Sequence, residues 1–92
     1  MVKARLAVVH DGTPLVAEGE VKLKDGASLK AFFKNADQAL GFGKTRPFRQ
    51  ALKGRPAPNV LLNGDRVELP EDLKIVLAPG DEVTVLTPLM GG

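Results

Sequence analysis

The candidate reactive group in this 92-residue chain is a carboxylate, that of Gly92, which closes the run Thr87-Pro88-Leu89-Met90-Gly91-Gly92. Glycine at the last two positions keeps the thread narrow and opens backbone angles closed to other residues. A carboxylate is a poor electrophile, so chemistry there needs activation, normally by attack on the α-phosphate of ATP to give an acyl-adenylate. That anhydride can then accept sulfur as a thiocarboxylate, or be attacked by a thiol to give a thioester. The chain contains no G-x-x-x-x-G-K-[ST] loop, so the ATP is expected to be used by a separate enzyme. The protein itself is expected to be a carrier or substrate, not an enzyme, with no bound cofactor.

The remaining inventory excludes most other chemistry. Cysteine is absent, which removes thiol nucleophiles, disulfides and thiolate metal sites together. His10 is the only histidine, so a Ser-His-Asp arrangement has no credible parts. Its setting, His10-Asp11-Gly12-Thr13-Pro14, reads as a solvated loop. Hydrophobic residues at 43% and charged residues at 26% are those of an ordinary globular domain. No apolar run approaches the roughly 20 residues of a membrane span. The N-terminus lacks a signal-peptide pattern, so the expected location is cytoplasmic.

The net charge of +2 is modest, yet unevenly spread. Between Asp37 and Asp65 there is no acid, while Lys44, Arg46, Arg49, Lys53 and Arg55 fall in that gap. The stretch reads first as a solvated basic face, with a docking surface for an acidic partner as the alternative. Nucleic acid is not the expected partner, because Trp and Tyr are absent and the four Phe read mostly as core.

A terminal carboxylate is useful only if a folded body presents it. Residues 2–9 alternate with Val2, Ala4, Leu6 and Val8 on one side, a strand, and 18–23 alternate again. Together they predict a β-hairpin with its loop near 10–17. Ser28 caps a helix whose apolar positions Leu29, Phe32, Phe33, Ala36, Ala39 and Leu40 share one face. Lys30, Lys34, Asn35 and Asp37 are placed on its outer face, and Gly41 as its left-handed cap. Pro47 starts a short helix over about 47–53 that Gly54 stops. Val60 to Leu62 and Arg66 to Leu69 are strands around an Asn63-Gly64-Asp65 turn, with Pro70 limiting the second. Leu73 to Leu77 is an apolar patch with no assigned element. A turn at Ala78-Pro79-Gly80-Asp81 leads to a last strand over 82–87 with Val83 and Val85 inward.

One helix on one face of a mixed sheet, an α+β arrangement, then has its first and last strands side by side. The domain is assigned to 1–87 and a flexible tail to 88–92. Pro88 ends the strand, and five extended residues reach roughly 17 Å at about 3.3–3.6 Å each. That is enough to thread a carboxylate into another protein. Partner contacts are expected from Pro88, Leu89 and Met90 in the tail, from Leu86 and Leu61 by strand alternation, and from Arg46 and Arg49.

The residues also resemble a known family, the β-grasp sulfur carriers, which include the molybdopterin-synthase small subunit and the thiamin-pathway carrier. Leu62-Asn63-Gly64-Asp65-Arg66-Val67 is similar to that family's hairpin. Leu77-Ala78-Pro79-Gly80-Asp81-Glu82-Val83-Thr84-Val85-Leu86 resembles its last strand, and Gly91-Gly92 its end. The resemblance implies a ubiquitin-like fold and adenylation of Gly92 by a ubiquitin-activating-type enzyme. It further implies a sulfur donor, a terminal thiocarboxylate and a sulfur-accepting synthase subunit. Length favours the molybdopterin type over the thiamin type. The stretch 42–58 and the approach Thr87-Pro88-Leu89-Met90 depart from the family pattern, where molybdopterin subunits usually carry Pro-Pro and a small residue. A ubiquitin-like modifier joined through Gly92 to lysines of target proteins, and a β-grasp binding module with an idle tail, are the alternatives.

Overall fold

Alternation puts every second side chain of a strand on one side. In the computed structural model, which describes residues 1–10, 12–53, 59–69 and 71–86, the first such run forms β1 (Val2–His10). Val2, Ala4, Leu6 and Val8 are buried, while Lys3, Arg5 and Val9 are exposed. β2 (Thr13–Val21) returns antiparallel with His10 opposite Thr13. Only Asp11 and Gly12 separate the two strands, so the expected loop over 10–17 is mostly strand and His10 ends β1. Pro14, which suggested the longer loop, is tolerated because β2 lies at the edge of the sheet.

The predicted helix is α1 (Leu29–Ala39), and Ser28 Oγ accepts a hydrogen bond from the Ala31 N–H at 3.3 Å. Leu29, Phe32, Phe33 and Ala36 are buried against the sheet, and Gly41 follows with φ +77°. Two positions differ from expectation: Ala39 is exposed and Asp37 is buried. The cause at Asp37 is α2 (Pro47–Lys53), whose range matches the prediction. The Asp37 carboxylate accepts from the Phe48 N–H at 2.8 Å and the Arg49 N–H at 3.2 Å. An acid at a helix start satisfies donors that have no partner within the helix and complements the helix dipole. Docked in this way, α2 delivers Phe48 edge-on to Phe32, with ring centroids 5.6 Å apart.

β3 (Asn59–Leu62), β4 (Asp65–Arg66), a 3₁₀ turn over Glu71–Lys74 and β5 (Glu82–Leu86) complete the fold. The sheet has five strands in the order β2-β1-β5-β3-β4, with β1 and β5 parallel and adjacent as expected. β4 is shorter than the predicted 66–69. After Val67 donates to the Val60 carbonyl, the Glu68 N–H is taken by Asp72 Oδ2 at 2.6 Å, and the chain turns into the 3₁₀ segment. The unassigned stretch 73–77 is fastened to the start of α1: Leu29 N–H donates to Ile75 and Leu77 N–H to Ala27, both at 2.8 Å. No helix among the described residues is long and apolar enough to cross a membrane. The expected domain boundary at 87/88, the stop at Gly54 and the limit at Pro70 lie outside the described residues.

Asp37→Ala leaves the buried Phe48 N–H without its acceptor, and about 2 kcal/mol of stability is expected to go with it. Asp37→Asn retains an acceptor oxygen and is expected to lose about half as much. Urea denaturation midpoints of the three proteins measure both.

Candidate functional site

Residues facing away from the core assemble a second surface. Because Val83 and Val85 point inward, Glu82, Thr84 and Leu86 of β5 point to the opposite side of the sheet. The strand register sets Leu86 between Ala7 of β1 and Asn59 of β3, and Leu61 between Thr84 and Arg66. Val16 of β2 lies opposite Ala7, beyond which are Val9 and Pro14. Leu61 and Leu86 are half-buried diagonal neighbours, whereas Val9 is 57% and Val16 77% exposed. A shallow depression of about 260 Å³, lined by Ala7, Val16, Thr84 and Leu86 together with Arg5 and Glu18, runs from this end toward the start of β1.

The two ends of this face differ in character. Toward the start of β1 are Lys3, Arg5, Glu18, Glu20 and Glu82, with Arg5 paired to Glu18 at 3.5 Å and to Glu82 at 3.9 Å. Both pairs are exposed and contribute little to stability. Toward the end of β5 the face is apolar, and residues 87–92 follow β5 there. An exposed apolar cluster on an otherwise charged sheet has the composition of a protein-docking surface.

The structure therefore brings Leu61 and Leu86 together and adds Ala7, Val9 and Val16, which sequence reasoning missed. Their signal was present in the outward positions of β1 and β2, but assigning 10–17 to a loop removed Val16 from the pattern. Arg46 and Arg49 are not joined to this surface. They lie on the helix side, where with Lys34, Asp37 and Gln38 they line a separate cleft of about 520 Å³. Gly91, Gly92, Pro88, Leu89 and Met90 lie outside the described residues. Among the described residues, no three His, Cys, Asp or Glu side chains are grouped to hold a metal ion.

The direction in which β5 leaves the sheet is fixed by a clasp at its start. Asn63, with φ +53°, and Gly64, with φ +87°, form the β3–β4 turn. The Asn63 side chain donates to Asp81 Oδ1 at 3.0 Å and accepts from the Glu82 N–H at 2.9 Å. Asp81 Oδ2 accepts from the Ala78 N–H at 2.8 Å, while the Lys3 N–H donates to the Asp81 carbonyl. β5 is thus tied to β3 on one side and β1 on the other before its first inward valine. The Ala78 backbone N–H, and then the Asn63 amide, hold the Asp81 carboxyl below its ordinary value of 3.8.

A depressed carboxyl contributes stability that is complete above its unfolded pKa and is lost as pH falls through the folded one. Asp81→Asn is therefore expected to flatten the decline of stability below about pH 4. Denaturant titrations of both proteins between about pH 2 and pH 5 measure the difference.

No family model and no curated protein matches the sequence. Solved structures do match the fold along nearly the whole chain. SAMP1 from Haloferax volcanii is 19% identical with a TM-score of 0.58, over 98% of this chain and 99% of that one. A second structure of that protein, described as H. volcanii small archaeal modifier protein 1, is 17% identical with a TM-score of 0.56, over 97% of this chain and 100% of that one. Urm1 from Trypanosoma brucei is 22% identical with a TM-score of 0.52, over 98% of this chain and 95% of that one. At such identities the likeness speaks for the fold. The mixed five-stranded sheet, packed on one main helix with its first and last strands parallel at the centre, is the ubiquitin-like β-grasp fold.

Proposed function

We propose that this protein is a sulfur carrier whose Gly92 carboxylate is adenylated by a separate ubiquitin-activating-type enzyme and converted to a thiocarboxylate. In the first step the carboxylate attacks the α-phosphate of ATP and releases pyrophosphate. In the second, sulfide-level sulfur from a donor attacks the acyl carbon and displaces AMP, so that a C–S bond replaces the C–O bond to the adenylate. The thiocarboxylate then gives up its sulfur to a sulfur-accepting synthase subunit during cofactor biosynthesis. Between the two pathways, length favours the molybdopterin type over the thiamin type. The protein supplies no catalytic group of its own beyond the carboxylate, with Gly91 keeping the approach to it narrow.

The observation that carries this reading is a coincidence of position. A β-grasp domain directs its last strand off the apolar end of its exposed sheet face, and the residues that follow end in Gly91-Gly92. A partner seated on Leu61, Leu86 and Val16 would have residues 87–92 within its reach. Leu89 and Met90 then supply apolar contacts along the channel, Met being suited to irregular grooves, and Pro88 restricts the chain at its entry. Cytoplasmic location follows from this reading, since the activating enzyme and its ATP must be in the same compartment.

A second reading is favoured by one specific observation, that a structurally similar chain is described as a small archaeal modifier protein. Here a thiol would displace AMP from the same acyl-adenylate to give a thioester, and lysine amines of target proteins would then displace the thiol. The chemistry diverges only after activation.

Incubation with a ubiquitin-activating-type enzyme, ATP and a sulfur donor is expected to raise the intact mass by the difference between sulfur and oxygen. Deleting Gly91 and Gly92 should abolish that shift with the denaturation midpoint unchanged, and a persisting shift would refute the carrier. Leu86→Asp, at a half-buried position, should slow adenylation by about tenfold or more through lost docking. Tail-dependent ladders on other proteins in a lysate, without the mass shift, would select the modifier reading.

A further inference from the structure

The helix side carries charge that the proposed activation does not use. Lys34 of α1, Arg46 at the entry to α2 and Arg49 within it converge on the cleft of about 520 Å³. All three are exposed, and none makes an ion pair or side-chain hydrogen bond among the described residues. Asp37, the one acid in the lining among the described residues, is buried and engaged with the Phe48 and Arg49 N–H groups. The floor of the cleft is thus neutralised locally, while its rim holds three unpaired cations.

Arg46 adds an independent observation. Its φ is +46°, in the left-handed region that costs a residue with a Cβ about 1 kcal/mol relative to glycine. Among the described residues, Asn63 is the other non-glycine residue with positive φ, and its side chain has two bonds in the β5 clasp to offset that cost. The Arg46 side chain has no such bond, yet the position is not glycine, although Gly41 and Gly43 nearby are. The Arg46 carbonyl accepts from the Gln50 N–H at 2.9 Å, which starts α2, whereas among the described residues its guanidinium has no hydrogen-bond or ion-pair partner and is left to the cleft.

We propose that this cleft binds an acidic segment of a partner protein, separately from the sheet face. A compact phosphate would approach the α2 N–H groups, but Asp37 already occupies them and would repel it. Carboxylates spaced along a peptide can instead meet the rim cations one by one. Nucleic acid would want an exposed aromatic platform for its bases, and among the described residues no aromatic side chain lines the cleft. Because Leu61 and Leu86 face the other side of the sheet, an acidic partner held here leaves the apolar face uncovered.

Fluorescence anisotropy with the full chain and a labelled poly-glutamate peptide tests this. Binding should weaken about tenfold in the Arg46→Gln/Arg49→Gln double variant and on raising salt from about 0.05 M to about 0.5 M. Arg66→Gln, an exposed change on the opposite face, should leave it unchanged. Arg46→Gly should lose binding while keeping or raising the denaturation midpoint, which separates loss of the cation from loss of the fold. Lys34→Gln gives a second test outside α2. Unaltered binding in these variants, an equal loss in Arg66→Gln, or stronger binding of inorganic phosphate or of an oligouridylate of matched charge would overturn the proposal.

Discussion

Every surface of this molecule takes its position from β5, a five-residue strand laddered on both sides. Its parallel pairing with β1 and antiparallel pairing with β3 fix Val83 and Val85 in the core. A slip of one residue would move both valines to solvent and bring Thr84 and Leu86 inward. The Asn63–Asp81 clasp guards against that slip, since it joins the turn after β3 to the residues just before β5. Parallel pairs are slightly weaker per residue than antiparallel ones. Pinning the start of β5 with side-chain and backbone bonds supplies order where the ladder alone is short.

The core explains why the two exposed surfaces differ so much. Phe32, Phe33 and Phe48 fill the space between the helices and the sheet, leaving Phe42 partly buried at the margin. A domain of this size has one such core and one sheet face left over. That remaining face is mixed, charged at one end and apolar at the other. The helix side is basic because no acid occurs between Asp37 and Asp65. Asp37 lies at the boundary of that gap and spends its charge on holding α2 in place. Packing and electrostatics are coupled there through one side chain.

Much of this was legible from local pattern. The helix face, the Ser28 cap, the short helix from Pro47 and the turns at Asn63 and Gly80 are set by interactions within a few residues, and each appears where its signal lies. The failures share a different cause. Helical periodicity sees only α1 and so puts Asp37 on the outer face, whereas its partners are eleven and twelve residues away. Pro14 reads as a loop residue in sequence because edge position, which makes it acceptable in a strand, is a property of the whole sheet. That error hid Val16 and with it part of the apolar face. Sequence names Arg46 and Arg49 as partner contacts but gives no thickness to a domain, so it does not say which face of the sheet they lie on.

Separation of the surfaces has a functional consequence under the proposed activation. A single partner covering both would have to reach around the sheet edge, where β2 presents an unpaired backbone row and Leu40 packs over Gly19. Two partners, or two parts of one assembly, can instead bind without competing for area. β5 ends at Leu86 on the apolar end of the sheet, so under the proposed activation a partner acting on the chain beyond it belongs there. The basic cleft is better suited to long-range attraction, because three unpaired cations steer an acidic surface before contact is made. Recognition and chemistry are then divided between opposite faces of one sheet, with the register of β5 keeping them in a fixed relation.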